Sequence, residues 1–339
     1  MNDRYSRQIL FDGIGEEGQR KLIAAQVLIV GCGALGTAHA EALCRAGVGR
    51  LRIVDRDFVE PSNLQRQTMF TESDAEKRLP KAIAAANHLR QINSDIAIES
   101  HVADVNYANV EQLIDGCDLV LDGTDNFATR YLINDACVKH ETNWVYGAAV
   151  GSYGVTMTIR PHQTACLRCV FEEAPPAASA PTCDTAGVIM PIISLVSAVQ
   201  VAETLKLLTG HFEDLHGSLM QFDVWRNEWR KIGLGAPQAD CLTCGLGQYE
   251  SLEPTSPETA AVLCGRDAIQ ISPSQPTTVN FRSLAERLRP AGDVKFNEYL
   301  LRFKTGPFEL TVFQDARSIV RGTDEIATAR SLYAKYIGN

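Results

Sequence analysis

QVLIVGCGALG, residues 26–36, is an apolar run that stops at a cluster of glycines. A short continuous run bounded by turn residues reads as a buried strand. A small-residue helix is expected over 34–46, and RLRIVD, 50–55, reads as a second strand. Strand, glycine turn, helix and strand within about thirty residues make a βαβ unit. In GCGALG, Gly31 permits the tight turn, Gly33 lets a phosphate-bearing ligand approach the backbone, and Gly36 allows close helix–strand packing. The helix N-terminus offers free N–H groups and a partial positive charge to an anion. Asp55 closes the second strand about twenty residues further on, where a carboxylate accepts hydrogen bonds from ribose hydroxyls. Together these features point to a nucleotide. They do not separate NAD from ATP, and a glycine turn used only for packing would share part of the pattern.

Working outward, helix-like and strand-like segments alternate: helix 80–92, strand 96–102, short helix 110–114, strand 117–121 ending in DGTDN, helix 126–140, strand 144–150. From residue 155 the pattern turns antiparallel, with strands over 154–160 and 218–232 and a helix over 192–208 between them. The expected fold is α/β: a doubly wound, Rossmann-like, mostly parallel sheet continued by antiparallel strands. EEAPPAASAPT, 172–182, reads as an exposed loop. Residues 246–258 read as a linker, and 259–339 as a small α+β module. That module runs strand 261–271, helix 281–288, strands 298–304, 308–313 and 318–321, then helix 324–337.

The chain has 339 residues, 45% hydrophobic and 22% charged, enough for a large unit, 1–245, and a small one. A net charge of −9 argues against a nucleic-acid partner, which is held by its phosphates. MNDRYSRQIL has no apolar run of a signal peptide. The most apolar stretch, 192–208, carries Gln200, Glu203 and Lys206 and reads as a buried helix, not a membrane span. A cytoplasmic location without membrane attachment is expected. Of the ten cysteines, Cys32, Cys44, Cys117 and Cys137 sit in strand- or helix-like segments as small hydrophobes, and the clustered ones read as metal ligands before disulfides.

Three further groups carry chemistry. Asn63-Leu64-Gln65-Arg66-Gln67, Lys81 beyond it and Arg7 near the N-terminus supply cations. A dinucleotide needs only a helix N-terminus for its pyrophosphate. Adenylation expels pyrophosphate from a triphosphate and calls for several cations. Asp122-Gly123-Thr124-Asp125-Asn126 closes a strand at the carboxyl edge of the sheet, where a carboxylate can hold magnesium against phosphate. Thr124 or Asp125 could equally cap the next helix. Cys166-x-x-Cys169 with Cys241-x-x-Cys244 brings four thiolates to one structural zinc, closed and so not catalytic. Cys183, just after the 172–182 loop, is either a nucleophile towards an acyl-adenylate or a bystander in a clamping loop.

RYSRQ (4–8), GCGALG, VDRDFVEPSNLQRQ (54–67), LPK (79–81), DGTDN, CLRC, TCDTAGV (182–188) and CLTC occur in order, and this set resembles the ThiF/MoeB/HesA family, bacterial relatives of ubiquitin-activating enzymes. The resemblance covers roughly residues 1–245. It implies an enzyme that uses ATP and magnesium to adenylate the C-terminal Gly-Gly carboxylate of a small ubiquitin-like sulfur carrier. Thiamin thiazole or molybdopterin synthesis would use the product, with a sulfur donor such as a cysteine desulfurase. Residue by residue it implies that Asp55 binds the ribose, that Arg66 and Lys81 hold phosphates and that Asp125 carries magnesium. It further implies that Arg7 acts from the other subunit of a homodimer and that Asn63 and Gln67 support the pocket. The four paired cysteines hold zinc, and the cysteine matching Cys183 joins the carrier in ThiF-type members only. AVLCGRDAIQI (261–271) resembles the C-terminal region of longer ThiF proteins, which tilts the reading towards thiamin.

An NAD-dependent oxidoreductase would explain Gly31, Gly33, Gly36 and Asp55 but leaves Arg66, Lys81 and DGTDN without a task. An inactive carrier-docking scaffold would have lost a cation or Asp125. The paired cysteines count against a tRNA-base dehydratase of the same fold.

Overall fold

The computed structural model describes residues 3–173, 183–253, 260–263, 268–271, 273 and 278–338. Two compact units divide the chain, Met1–Glu253 and Pro254–Asn339.

The first unit is built on eight strands: β1 (Gln26–Val30), β2 (Arg50–Asp55), β3 (Ala97–Val102), β4 (Leu119–Asp122), β5 (Asn143–Val150), β6 (Tyr153–Ile159), β7 (Ser218–Asp223) and β8 (Glu228–Gly233). They lie in the order β3-β2-β1-β4-β5-β6-β7-β8. β1 is parallel to β2 and β4, with Val30 opposite both Val54 and Asp122. Alternate residues of β1 enter different cores, as the two-residue period of a strand requires. Val27 and Ile29 pack with Leu43 and Leu89, from the helices Ala34–Ala46 and Lys81–Ile92. Leu28 and Val30 pack with Ile133 and Ala136 of the helix Phe127–Lys139. β5 is the switch: parallel to β4 and antiparallel to β6.

The helix Met190–Thr209 is long and apolar enough to cross a membrane. In this fold it lies in the core, where Ile192 and Val196 meet Phe222 and Leu207 meets the β1 layer. Its polar residues Gln200 and Glu203 are buried and hydrogen-bonded, as burial demands.

The expected strand 218–232 is two strands. Asp223 Oδ1 accepts from the N–H groups of Trp225 and Arg226 at 3.0 and 3.2 Å, and Asn227 takes φ 55°, which turns β7 into β8. The expected linker starts later than residue 246, because Tyr249 and Leu252 pack into the first unit's core. Of the 172–182 loop, residues 174–182 lie outside the described residues.

The second unit is a six-stranded antiparallel sheet in the order β11-β12-β13-β14-β10-β9. Its strands are β9 (Ala260–Leu263), β10 (Ala268–Ile271), β11 (Asp293–Phe296), β12 (Leu300–Thr305), β13 (Phe308–Phe313) and β14 (Ser318–Arg321). Ile269, Phe303, Val312 and Val320 pack against Phe281 and Leu284 of the helix Phe281–Leu288 and Ala329 of the helix Ile326–Tyr336. The single strand expected over 261–271 is the β9–β10 hairpin. β11 was not expected, since DVKF is short and three of its four residues are exposed.

Candidate active site

β1 ends at the glycine turn, where Gly31 takes φ 85°. A Cβ on Gly31 would lie 2.7 Å from the Gly123 carbonyl oxygen, and one on Gly36 only 1.9 Å from the Gly31 carbonyl oxygen. Turn, helix and β4 loop thus pack backbone to backbone. Gly33 differs. A Cβ there would meet nothing nearer than Gln67 Nε2 at 3.8 Å, so space remains above the start of helix Ala34–Ala46. Gly33 is the N-cap of that helix and no side chain caps it, which leaves first-turn N–H groups and their partial positive charge for an anion. Gln67 is buried and its Oε1 has no hydrogen-bond partner. A buried acceptor without a donor is costly, and a ligand hydroxyl would satisfy it. These observations fit a nucleotide.

Asp55, at the end of β2, is buried. Its Oδ2 accepts from the Cys32 N–H and its Oδ1 from the Asp57 N–H, both at 2.6 Å. Burial pushes the carboxyl above its usual range, and Lys81 opposes that rise. Lys81 opens the helix Lys81–Ile92, is buried, and sets its Nζ 3.3 Å from Asp57 Oδ2. Asn63 Oδ1 accepts from the Glu60 N–H at 3.0 Å, capping the turn Pro61–Asn63. It therefore shapes the loop that carries Arg66 and Gln67. Half-buried Arg66 donates from Nη1 to the Ser62 carbonyl at 2.9 Å.

In DGTDN the two aspartates divide the labour. Asp122 is fully buried; its Oδ1 accepts from the Thr124 N–H and hydroxyl at 2.8 and 2.7 Å, and its Oδ2 from Arg130 Nε at 3.2 Å. Burial raises its pKa and Arg130 opposes the rise. Arg130 also donates to the carbonyls of Thr124 and Gly147 at 2.6 and 3.2 Å. Asp125 is exposed, with no hydrogen bond or ion pair among the described residues. The helix cap is neither Thr124 nor Asp125 but Asn126, whose side chain accepts from the Thr129 N–H at 2.8 Å.

A buried brace lies beneath. Gln200 Nε2 donates to the carbonyls of Asp122 and Val145 at 3.2 and 3.1 Å, and its Oε1 accepts from His39 Nε2 at 2.9 Å. Burial drives the His39 pKa down to about 4, which keeps the ring neutral. Sequence reasoning missed Arg130, His39 and Gln200; a polar residue inside an otherwise apolar helix was the only signal of the last.

Gly31, Gly33, Gly36, Asp55, Gln67, Lys81 and Asp125 thus belong to one edge of the sheet. Arg7 does not. It is exposed on the helix Ser6–Ile9, and the next residue, Gln8, donates to the Ala46 carbonyl at 2.9 Å. Ala46 is the last residue of the helix whose N-cap is Gly33. At 1.5 Å per residue that places Gln8 roughly 20 Å from its own chain's glycine turn. Cys183 opens the helix Cys183–Ala186, but its side chain lies outside the described residues.

The cysteine pairs converge. Sγ–Sγ separations are 3.8 Å for Cys166–Cys169, 3.6 Å for Cys166–Cys241 and 3.4 Å for Cys169–Cys244, and all four sulfurs lie within 4.8 Å of one another. A tetrahedral zinc with bonds of about 2.3 Å has sulfur edges of about 3.8 Å, so the cluster fits that ion. The helix Phe127–Lys139 braces it. Asn134 Oδ1 accepts from the Leu167 N–H at 2.9 Å, and Asp135 accepts from the Thr243 hydroxyl at 2.7 Å and the Ser251 N–H at 3.0 Å.

Residues 5–243 match the ThiF family. The Bacillus subtilis sulfur carrier protein ThiS adenylyltransferase is 45% identical over 340 residues, covering 100% of both chains. The Haloferax volcanii SAMP-activating enzyme E1 is 39% identical, over 74% of this chain and 92% of the relative. The Culex quinquefasciatus adenylyltransferase and sulfurtransferase MOCS3 is 39% identical, over 71% of this chain and 55% of the relative. Among solved structures, E. coli MccB superposes with TM-score 0.64 at 22% identity, over 71% of this chain and 72% of that one, and shares the fold. The MccB–ATP structure gives TM-score 0.62 at 23% identity, over 72% and 75%. With the site residues carried by a Rossmann-like sheet and a full-length relative at this identity, the chain belongs to the ThiF family of adenylyltransferases.

Proposed function

We propose that this enzyme adenylates the C-terminal carboxylate of a small ubiquitin-like sulfur carrier of the ThiS type, releasing pyrophosphate. The observation that carries the reading is the carboxyl edge itself: an uncapped helix N-terminus, an orphaned Gln67 acceptor, buried Lys81 and a free Asp125. The 45% identity to a ThiS adenylyltransferase runs through the second unit, whereas the MOCS3 relative matches only 71% of the chain, which favours thiamin over molybdopterin synthesis.

Gly33 and the helix start would cradle the phosphates, and Asp55 would accept from the ribose hydroxyls with the lone pairs its backbone bonds leave open. Arg66 and Lys81 would hold the triphosphate. Asp125 would hold magnesium, which supplies positive charge against the phosphate oxygens. The carrier's carboxylate, already ionised at neutral pH, attacks the α-phosphate and needs no general base. Arg7 would complete the site from a second copy, because its anchor on Ala46 keeps it from its own cleft. Zinc on Cys166, Cys169, Cys241 and Cys244 would tie β6 to the end of the first unit, and a sulfur donor would later displace AMP.

Carrier-dependent ATP–pyrophosphate exchange tests the proposal, with ThiS-type and MoaD-type carriers run in parallel. Exchange with the ThiS type is expected; exchange with neither, at stoichiometric carrier, overturns it.

A further inference from the structure

A cavity of about 430 Å³ lies at the sheet edge opposite the nucleotide site. β5 begins there at Asn143 and β6 ends there at Ile159, paired across Trp144–Ile159. Its walls are Glu141, Asn143, Arg160, His162, Gln163 and Phe212. None of the five polar side chains makes a hydrogen bond or ion pair among the described residues, although one cation and one carboxylate face a common space. Arg160 is held instead with its guanidinium carbon 4.0 Å from the Phe212 ring centroid, and its Nε is buried without an acceptor.

The backbone sets the rim of this cavity. Five non-glycine residues among those described have positive φ, and two of them, Glu141 at 54° and His162 at 60°, line this cavity. Glu141 follows the end of the helix Phe127–Lys139, where its N–H donates to the Val138 carbonyl and the Thr142 N–H to the Cys137 carbonyl. His162 follows Pro161 in a turn closed by the Gln163 N–H on the Arg160 carbonyl, so hydrogen-bonded turns fix both backbones at the rim. Opposite charges that share a cavity yet do not pair are open to a molecule that carries both a carboxylate and a cation.

We propose that this cavity binds a free α-amino acid, its carboxylate on Arg160 and its ammonium group on Glu141, with Asn143, His162 and Gln163 closing the polar wall. Guanidinium and carboxylate form a two-pronged charge-assisted pair, and the Phe212 ring holds the guanidinium in place. The site would give the enzyme a ligand distinct from ATP and the carrier.

Calorimetric titration of the full chain with the twenty L-amino acids, each also as its N-acetyl and methyl ester derivative, tests this. At least one amino acid is expected to bind below about 1 mM, and both of its derivatives at least about tenfold more weakly. Glu141→Gln and Arg160→Gln should each weaken binding about tenfold or more while carrier-dependent exchange without amino acid stays unchanged. Glu141 is exposed, so its variant reads binding without a folding penalty. No binding by any amino acid at about 10 mM overturns the proposal, as does equal binding of the N-acetyl form, which would make this a plain anion site.

Discussion

At the cysteine cluster the two polar side chains of the bracing helix are engaged: Asn134 with Leu167, Asp135 with Thr243 and Ser251. At the carboxyl edge of β1, β2 and β4, several polar groups are left over. Gln67 Oε1 has no donor, helix Ala34–Ala46 has no side-chain cap, and Asp125 makes no hydrogen bond or ion pair among the described residues. Both regions draw on the same helix, since Phe127–Lys139 follows Asp125 at one end and carries Asn134 and Asp135 further along. The difference is one of purpose. Groups committed to each other fix geometry, and groups left uncommitted where the backbone is rigid are available to a ligand.

The comparison breaks first at the cluster. Metal analysis should find about one zinc per chain. Chelation or Cys166→Ala should lower unfolding stability by more than about 4 kcal/mol, the range that loss of a structural metal reaches. Asp135→Asn should weaken zinc retention about 10- to 100-fold in a competitive chelator titration, through the lost brace. A metal-free chain of full stability would show that the sulfurs are only packed.

At the other region the order is reversed. Asp125→Ala should lower exchange about 10²–10³-fold, in the range of removing one preorganised charge contact, with the melting temperature unchanged. Asp122→Ala, three residues away, should instead unfold the loop, because buried Arg130 loses its carboxylate. Exchange by Asp125→Ala within tenfold of the parent would remove Asp125 as the magnesium ligand.

The sequence carried the βαβ unit, the glycine turn and the cysteine spacing plainly, because each is local or has a fixed period. The segments 218–232 and 261–271 each read as one strand: in the first, Asn227 without a following glycine is a weak turn signal within a run of strand formers, and in the second the antiparallel pairing of β9 with β10 becomes visible only in the fold. Asn126 as the helix cap was hidden by three capping candidates in a row. The His39–Gln200–Asp122 brace was not legible at all: its partners come from distant segments, and only the fold brings them together.

That brace yields a smaller effect with a defined sign. The folded pKa of His39, about 4, lies below its ordinary 6.5, so the unfolded chain takes up the proton first as pH falls. His39 therefore opposes stability progressively from pH 6.5 down to 4 and costs nothing above 6.5. The depression corresponds to about 3 kcal/mol. Denaturant unfolding across that window should show this loss in the parent and its absence in His39→Gln, whose other titrations are shared. Parallel curves would mean that the ring accepts its proton in place.

The smallest effect concerns Arg7, which belongs to neither region in its own chain. Gln8 fixes this segment to Ala46, at the far end of the helix from Gly33, so reach within the chain is ruled out by length. Donation across a closed twofold dimer would place a second copy's arginine at the first copy's cleft. Arg7→Ala and Asp125→Ala subunits, each nearly inactive alone, are mixed after verified subunit exchange. Random pairing makes about half the dimers hybrid. With donation in trans, each hybrid holds one site that lacks both groups and one that lacks neither, so about a quarter of all sites should recover. With donation in cis, every site in every pairing lacks one group. Recovery of about a quarter of parental exchange thus requires the shared site, and none at all, with hybrids present, would leave Arg7 as a surface residue of the N-terminal helix.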